Sequence, residues 1–153
     1  MSDAGRSREI RNAATGETVR IIRGADETGG ELLVMEARWT DPHHVTPAHI
    51  HPAMEERWRV LEGEVGFRIA GHESVAGPGD TVTAAPGELH ENWNAGAGPA
   101  LMRIEMRPPQ RWEEFVRQLF ALASEGLEGA DAQRSIDELL TEFAAEIEFP
   151  AAD

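Results

Sequence analysis

AHIHPAMEERWRVLEG, the stretch at residues 48–63, is the most informative part of this 153-residue chain. His49 and His51 are two positions apart, so on a β-strand both imidazoles would point to the same face. Pro52 interrupts hydrogen-bonded strand pairing and favours a turn. Glu56 lies at the start of the strand-like run that follows. The stretch therefore predicts two strand segments that carry two imidazoles and a carboxylate.

A second stretch, PGELHENWN at residues 86–94, contains a further histidine, His90. It follows a predicted strand at residues 81–85 and a Pro-Gly turn signal. Three imidazoles and the carboxylate of Glu56, converging from separate strands, would form a site for a divalent transition metal. Glu55 is the main competitor of Glu56 for the carboxylate position.

The two stretches resemble the two sequence motifs of the cupin superfamily, G-x5-H-x-H-x3,4-E-x6-G and G-x5-P-x-G-x2-H-x3-N. The matching positions of this chain are His49, His51, Glu56, Gly63, Gly79, Gly87, His90 and Asn94. The motif spacing favours Glu56 as the ligand, and strand alternation then directs Glu55 outward. The chain departs from the motifs at His43, where the family has glycine, and at Ala85, where it has proline. Histidine tolerates a positive φ better than most residues, so the turn at His43 is expected to survive.

The resemblance covers residues 21–107 and implies an all-β jelly-roll or β-barrel fold of the cupin type. The remaining sequence adds two predicted C-terminal α-helices. We therefore predict a flexible N-terminus at residues 1–15, a cupin β-barrel domain at residues 16–108, and a helical extension at residues 109–148.

Apolar alternation predicts strands outside the two motifs as well. A strand is predicted at residues 18–23, residues 101–106 alternate, and in residues 31–40 one face carries Leu33, Met35, Ala37 and Trp39. Short strands separated by Gly and Pro are typical of a sandwich or barrel.

After Pro108 and Pro109 the apolar period changes to that of a helix. The first helix is predicted from Arg111 to about Ser124, and the second begins near Asp131 or at a capping box formed by Ser135 and Glu138. The apolar stripes of the two helices comprise Trp112, Phe115, Val116, Leu119 and Leu122, then Ile136, Leu139, Leu140, Phe143 and Ile147. These helices could cover the barrel opening, pack on a sheet face or join two subunits.

The composition excludes several classes of function. The chain has 14 basic and 28 acidic residues, and the net charge of −14 argues against nucleic acid or anionic membranes as partners. It has no cysteine, so disulfides and thiolate metal sites are excluded. No secretory leader or membrane span is predicted, and we expect a soluble cytoplasmic protein. Cupins are often dimers, and the exposed edge of the predicted sheet favours a homodimer.

Alternation also predicts side chains near the metal that could bind a substrate. Trp58 shares the face of Glu56 and would line the cavity, unless it is an ordinary core aromatic residue. Asn92 shares the face of His90 and could orient a substrate oxygen, or bond locally in a turn. Asn94 is expected to secure the backbone at the strand end. His44 could be a hydrogen-bond partner or an acid/base group near the site, or an exposed loop residue.

The predicted ligand set suits one divalent ion of Fe, Mn, Ni, Co or Zn. If the ion is six-coordinate, two positions remain for water, dioxygen or a chelating small-molecule ligand, whereas tetrahedral zinc would be closed and structural. The first functional hypothesis is an enzyme acting on an oxygen-rich small molecule, by chemistry resembling quercetinase-like dioxygenases or the cyclases and isomerases of polyketide pathways. The alternatives are a non-catalytic small-molecule sensor or storage protein, and a module whose C-terminal helices bind a partner.

Overall fold

The computed structural model describes residues 6–150. Ten strands precede two helices in the chain. The strands are β1 (Glu9–Arg11), β2 (Thr18–Arg23), β3 (Leu33–Trp39), β4 (Val45–His49), β5 (Glu55–Glu62), β6 (Val65–Ile69), β7 (His72–Ala76), β8 (Thr81–Ala84), β9 (His90–Asn94) and β10 (Ala100–Arg107). The helices are α1 (Trp112–Ala123) and α2 (Gly129–Glu142). The predicted class, an all-β fold followed by two C-terminal helices, is confirmed.

The strands form two antiparallel sheets with crossed connections. One sheet has six strands in the order β1-β2-β3-β10-β5-β8, and the other has four in the order β4-β9-β6-β7. The sheets face each other across a shared core, where the Trp58 ring of β5 lies 5.2 Å from the Phe67 ring of β6. Glu56 and His90 therefore enter the same interior from opposite sheets.

Residue alternation explains which faces are buried. In β3 the predicted interior residues Leu33, Met35, Ala37 and Trp39 are all buried. The register pairs Met35 with Ile104 of β10, and Ile104 with Trp58 of β5. These contacts form one continuous apolar layer across the six-stranded sheet.

Gly63 allows the tight turn between β5 and β6. Its φ is +79°, and an added Cβ would lie 2.4 Å from the carbonyl oxygen of Pro99. Both the positive φ and the lack of space require glycine. The turn at His43 forms differently from the expectation, because His43 does not have a positive φ. Its N–H instead donates to the Asp41 side chain at 2.8 Å, so an aspartate-based turn replaces the glycine turn.

The ordered sheet begins earlier than the predicted domain boundary at residue 16. Within the predicted flexible segment, β1 pairs with β2, with Ile10 opposite Val19. A three-residue strand with one apolar residue has no alternation that the sequence pattern could reveal. The part of that prediction that concerns residues 1–5 lies outside the described residues.

The two helices form, but α2 differs from its predicted extent. It begins at Gly129, before either of the expected starts, and Asp131 occupies its first turn, where an acidic side chain stabilises a helix. It ends at Glu142, although Phe143 and Ile147 of the predicted stripe are buried. Beyond the helix, Glu148 forms an isolated antiparallel bridge with Ile50. Neither helix within residues 6–150 has the length and apolar content that a membrane span requires.

Candidate metal centre and its cavity

Four buried side chains from two sheets meet in the interior. His49, His51, Glu56 and His90 offer ligand atoms that all lie within 4.8 Å of one another. His49 ends β4 and His90 begins β9, and these two residues are directly paired. Glu56 reaches them from β5, with His51 on the loop between β4 and β5. The structure thus brings together all four residues that the sequence predicts as metal ligands.

Backbone carbonyls orient all three imidazole rings. The Nδ1 atoms of His49, His51 and His90 lie 2.7, 2.9 and 3.0 Å from the carbonyl oxygens of Pro47, Glu146 and Glu88. A carbonyl oxygen only accepts, so each Nδ1 must carry the proton and donate it. In a neutral ring this leaves the Nε2 lone pair available to a cation.

The Nε2 atoms of His51 and His90 lie next to the carboxylate of Glu56. His51 Nε2 lies 2.9 Å and His90 Nε2 3.3 Å from Glu56 Oε1. Within the described part of the chain, His90 Nε2 is buried and has no hydrogen-bond partner. A buried polar nitrogen without a partner is costly. A cation held between these rings and Glu56 would satisfy it, so the donor set fits a divalent metal such as Fe, Mn, Ni, Co or Zn.

The electrostatics favour the protonation state that binds a cation at His49 and Glu56, and oppose it at His90. Burial, together with the nearby His51 and His90 rings, lowers the pKa of His49 to about 4. Burial alone would raise the pKa of Glu56, but the adjacent His51 and His90 imidazoles hold it below its ordinary value. Burial would also lower the pKa of His90, yet the carboxylate of Glu56 beside it raises that pKa above its ordinary value. At neutral pH His49 is therefore neutral and Glu56 ionised.

The four-residue group lies at the wall of a cavity of about 430 Å³. His49 and Glu56 line this cavity directly. Most of the remaining lining is apolar or aromatic, and it comes from the six-stranded sheet, from both helices and from the segment after α2. Its aromatic members are Trp39, Trp58, Trp112, Phe115, Phe120 and Phe149. Because α1 and α2 contribute to the lining, the helices cover the opening next to the metal group.

The segment after α2, residues 143–150, makes direct contacts with the candidate metal site in addition to those of the helices. Glu146 supplies the carbonyl that accepts from His51, and Ile50 and Glu148 exchange two backbone hydrogen bonds of 2.8 and 2.9 Å. The Phe149 ring lies 6.0 Å from the His49 ring. A hydrogen bond of 2.9 Å from Gly87 N–H to the His51 carbonyl ties the second motif to the first. The loop that carries His51 is therefore held by hydrogen bonds to the segment after α2 and to the second motif.

The structure places the other predicted residues as follows. Trp58 and Asn92 are buried and line the cavity. The Asn94 side chain donates to the carbonyls of Asp41 and Gly98, as expected of a residue that secures the backbone. His44 is buried and stacks on Trp39 with ring centroids 4.3 Å apart, and it is not among the residues that line the cavity. Glu55 is directed outward and pairs with Arg57 at 3.7 Å.

Sequence reasoning missed three contributors. Glu146 and Phe149 gave no signal, because their contacts span about a hundred residues and depend on the path of the chain after α2. Glu17 lines the cavity and accepts a hydrogen bond from Trp39 Nε1 at 2.8 Å. Its position two residues before the interior Val19 could have identified it, since alternate residues of a strand share a face.

Comparison with known proteins agrees with this architecture. The family model described as a cupin domain matches residues 40–105. A predicted oxalate decarboxylase from Thermotoga maritima aligns with a TM-score of 0.59 and 17% identity over 69% of this chain and 96% of that chain. KdgF from Halomonas sp. gives 0.57 and 16% over 65% and 84%, respectively. The polyketide cyclase RemF from Streptomyces resistomycificus gives 0.53 and 21% over 67% and 70%. A comparison with curated proteins finds no match.

The fold and the site together define a class of small β-sandwich proteins with a possible metal site of three histidines and one glutamate. Within that class, residues 40–105 of this chain match the model of a cupin domain, and two C-terminal helices cover the cavity. The likeness to the three solved structures concerns the fold.

Proposed function

We propose that this protein is a divalent-metal-dependent cupin enzyme that acts on an oxygen-bearing small molecule with a largely apolar body. The observation that carries the proposal is that the His/Glu group lies at the wall of the cavity of about 430 Å³. A cavity of this size, mainly apolar with a few polar groups, is typical of small-molecule sites. A purely structural metal would not need such a cavity beside it.

The net charge of the His/Glu group with a bound divalent ion would favour negatively charged substrate oxygens. Three neutral imidazoles and one carboxylate leave a net positive charge when a divalent ion is bound, which attracts anionic or enolate oxygens. Such an ion would supply Lewis-acid polarisation of a substrate oxygen or, if it is redox-active, oxygen chemistry. Either dioxygenase-like or cyclase- and isomerase-like reactions are compatible with this site.

The protein side chains would bind and shield the substrate. The Asn92 amide lines the cavity and can hydrogen-bond a substrate oxygen, while Trp58 and Trp112 present apolar surfaces. The helices and Phe149 line this region, and any water that they displace would strengthen electrostatic interactions inside it. Structural relatives named as an oxalate decarboxylase and a polyketide cyclase are compatible with an enzyme, although they carry no argument for one substrate.

The alternative is a non-catalytic small-molecule sensor with a structural metal. The observation that favours it is the number of donors, since four protein ligands complete a tetrahedral zinc site with no open position. The two proposals differ in whether an added ligand can reach the metal.

Cobalt(II) loading distinguishes them. The protein would be purified without nickel affinity, its native metal content measured, and the cobalt form titrated with catechol, a small chelating oxygen ligand. The enzyme proposal expects stoichiometric metal and a change in the visible cobalt spectrum on catechol addition. An intense tetrahedral spectrum that catechol leaves unchanged would instead support the structural metal.

The His90→Ala variant is the control for specific loading, because it removes one of the four donors. Its cobalt spectrum should be lost or strongly altered. For the oxygenase form of the proposal, iron(II)-loaded protein supplied with a flavonol should consume dioxygen, measured with an oxygen electrode. Absence of uptake with a catechol-responsive metal would favour cyclase or isomerase chemistry.

A further inference from the structure

A second polar group faces the cavity away from the metal centre. Glu17 immediately precedes β2, and its side chain lines the same cavity as His49 and Glu56. It continues the interior alternation of Val19 and Ile21, both of which are buried. The strands β2 and β5, which bring Glu17 and Glu56 to the cavity, are separated in the sheet by β3 and β10. The two carboxylates therefore reach the cavity from different places on one sheet.

The carboxylate of Glu17 is held in position by Trp39. The indole Nε1–H donates to Glu17 Oε2 at 2.8 Å. Trp39 is itself buried and stacked on His44, with ring centroids 4.3 Å apart. A buried donor whose ring is held by stacking orients the acceptor, so Glu17 is pre-organised.

On the cavity side, Glu17 faces no lysine or arginine among the described lining residues. The titratable side chains among the described cavity-lining residues are Glu17, His49 and Glu56, and none of these lining residues is lysine or arginine. Burial, and to a lesser degree the charge of Glu56, raises the pKa of Glu17 to about 7. A carboxyl group placed among apolar side chains is costly unless something donates to it. Trp39 supplies one such donor, its indole N–H, to Glu17 Oε2.

We propose that Glu17, held by Trp39, is a second anchor for the ligand and binds a hydroxyl or amine hydrogen-bond donor. The metal group would hold an oxygen at another point of the same molecule. The inference rests on the proposed function and narrows its substrate class to molecules with an apolar, aromatic body that carry two separated polar groups. Glu17 would thus determine specificity rather than hold the metal.

Matched probe pairs test this anchor on the metal-loaded protein. The pairs are 2-naphthol with 2,6-dihydroxynaphthalene, and 4-phenylphenol with 4,4′-biphenol, which differ in the distance between their hydroxyl groups. Binding would be measured by calorimetry. In at least one pair, the dihydroxy compound should bind about 5- to 50-fold more tightly, as expected for a hydrogen bond to a carboxylate.

The Glu17→Leu variant should abolish this advantage while leaving the binding of the monohydroxy compound and the metal content unchanged. Glu17→Gln keeps an acceptor for Trp39 and should retain part of the advantage. The matched control is Glu36→Gln, on the opposite face of the neighbouring strand, where the carboxylate pairs with Arg103 at 3.4 Å. It should keep the full advantage.

The outcomes separate this inference from the proposed function. An equal affinity for both members of each pair in the wild-type protein, or an advantage that survives in Glu17→Leu, would overturn the anchor. Failure of all four compounds to bind a protein that holds stoichiometric metal would also overturn it, with the metal centre left standing. Loss of metal from the wild-type protein would instead contradict the proposed function.

Discussion

At the scale of single residues, the three converging imidazoles differ from the exposed histidines of the chain. His90 is buried, with Nδ1 fixed by a carbonyl and Nε2 without a partner, whereas His43 and His72 are exposed. A side chain that is oriented and unsatisfied in this way is expected to contribute to cation binding. An exposed imidazole, such as that of His72, is not expected to contribute to cation binding.

We therefore expect His90→Ala to weaken metal binding by more than the ~10- to 100-fold that follows loss of a hydrogen-bond partner of a ligand. Elemental analysis after dialysis would measure retained metal. His72→Ala removes an exposed imidazole and is the matched control, for which full occupancy is expected. Equal metal content in the two variants would contradict the assignment of His90 as a ligand.

The raised pKa of Glu17 has a consequence for stability. The folded pKa of about 7 lies above the ordinary pKa of a glutamate carboxyl, so between these two pKa values the folded state binds more protons than the unfolded state. Protonation of Glu17 therefore stabilises the folded state fully below the unfolded pKa of this carboxyl, and this stabilisation is lost as the pH rises through about 7. Glu17→Gln stays neutral, and relative to the wild type it should gain about 1–3 kcal/mol of unfolding free energy between about pH 4 and pH 8.

Urea unfolding of both proteins in the presence of a chelator would measure this difference. The chelator keeps the metal from adding its own pH dependence. Stability curves that run parallel over the whole range would show that Glu17 has an ordinary pKa.

At the scale of elements, the segment after α2 holds the loop between β4 and β5, which carries His51. Its carbonyl at Glu146 orients His51, and the bridge between Glu148 and Ile50 keeps that carbonyl in place. The N–H of Glu148 donates to the carbonyl of Ile50 at 2.9 Å. Removing this donor should loosen the loop without touching any of the four candidate ligands.

The substitution Glu148→Pro removes the donor, because proline has no N–H. We expect metal affinity to fall by about 10- to 100-fold, as for loss of a partner that orients a ligand. Glu148→Ala keeps the backbone bonds and should bind metal as the wild type does. Competition with a chromogenic chelator would measure both affinities, and a Glu148→Pro value equal to that of Glu148→Ala would show that the bridge is dispensable.

The elements also show where sequence reasoning succeeds. Alternation locates β2, β3 and β10 to within two residues, because each has one buried and one exposed face. The motif spacing identifies the four converging residues, since their positions on strands and turns are set by local geometry. The sequence does not predict the contact of Glu146 with His51, and it leaves the covering position of the helices as one of three open alternatives, because both depend on packing between parts distant in sequence. β1 has too few apolar residues to produce a pattern.

At the scale of the whole molecule, the helical extension completes the interior of the sandwich. Trp112, Phe115 and Phe143 are buried, and the Trp112 ring lies 4.6 Å from the His51 ring. The extension therefore contributes both to the core and to the wall of the cavity. The homodimer expected from the sequence stays a prediction, which light scattering coupled to size exclusion would check.

Deletion of residues 110–153 should expose the apolar cavity wall and the candidate metal group to water. We expect lower solubility, stronger binding of a hydrophobic dye and loss of metal. Large exposed apolar surfaces promote association, and His51 would lose its carbonyl partner. A soluble truncated protein with full metal content would show that the helices are accessory.

The contact between His51 and Glu146 joins residues 95 positions apart. During synthesis the chain emerges from its N-terminus, so the two motifs leave the ribosome long before residue 146 does. A nascent chain can assemble both sheets while one imidazole still lacks the carbonyl that orients it. In such a chain His51 is oriented only after residue 146 has emerged, so the four-residue group reaches its final geometry later than the two sheets.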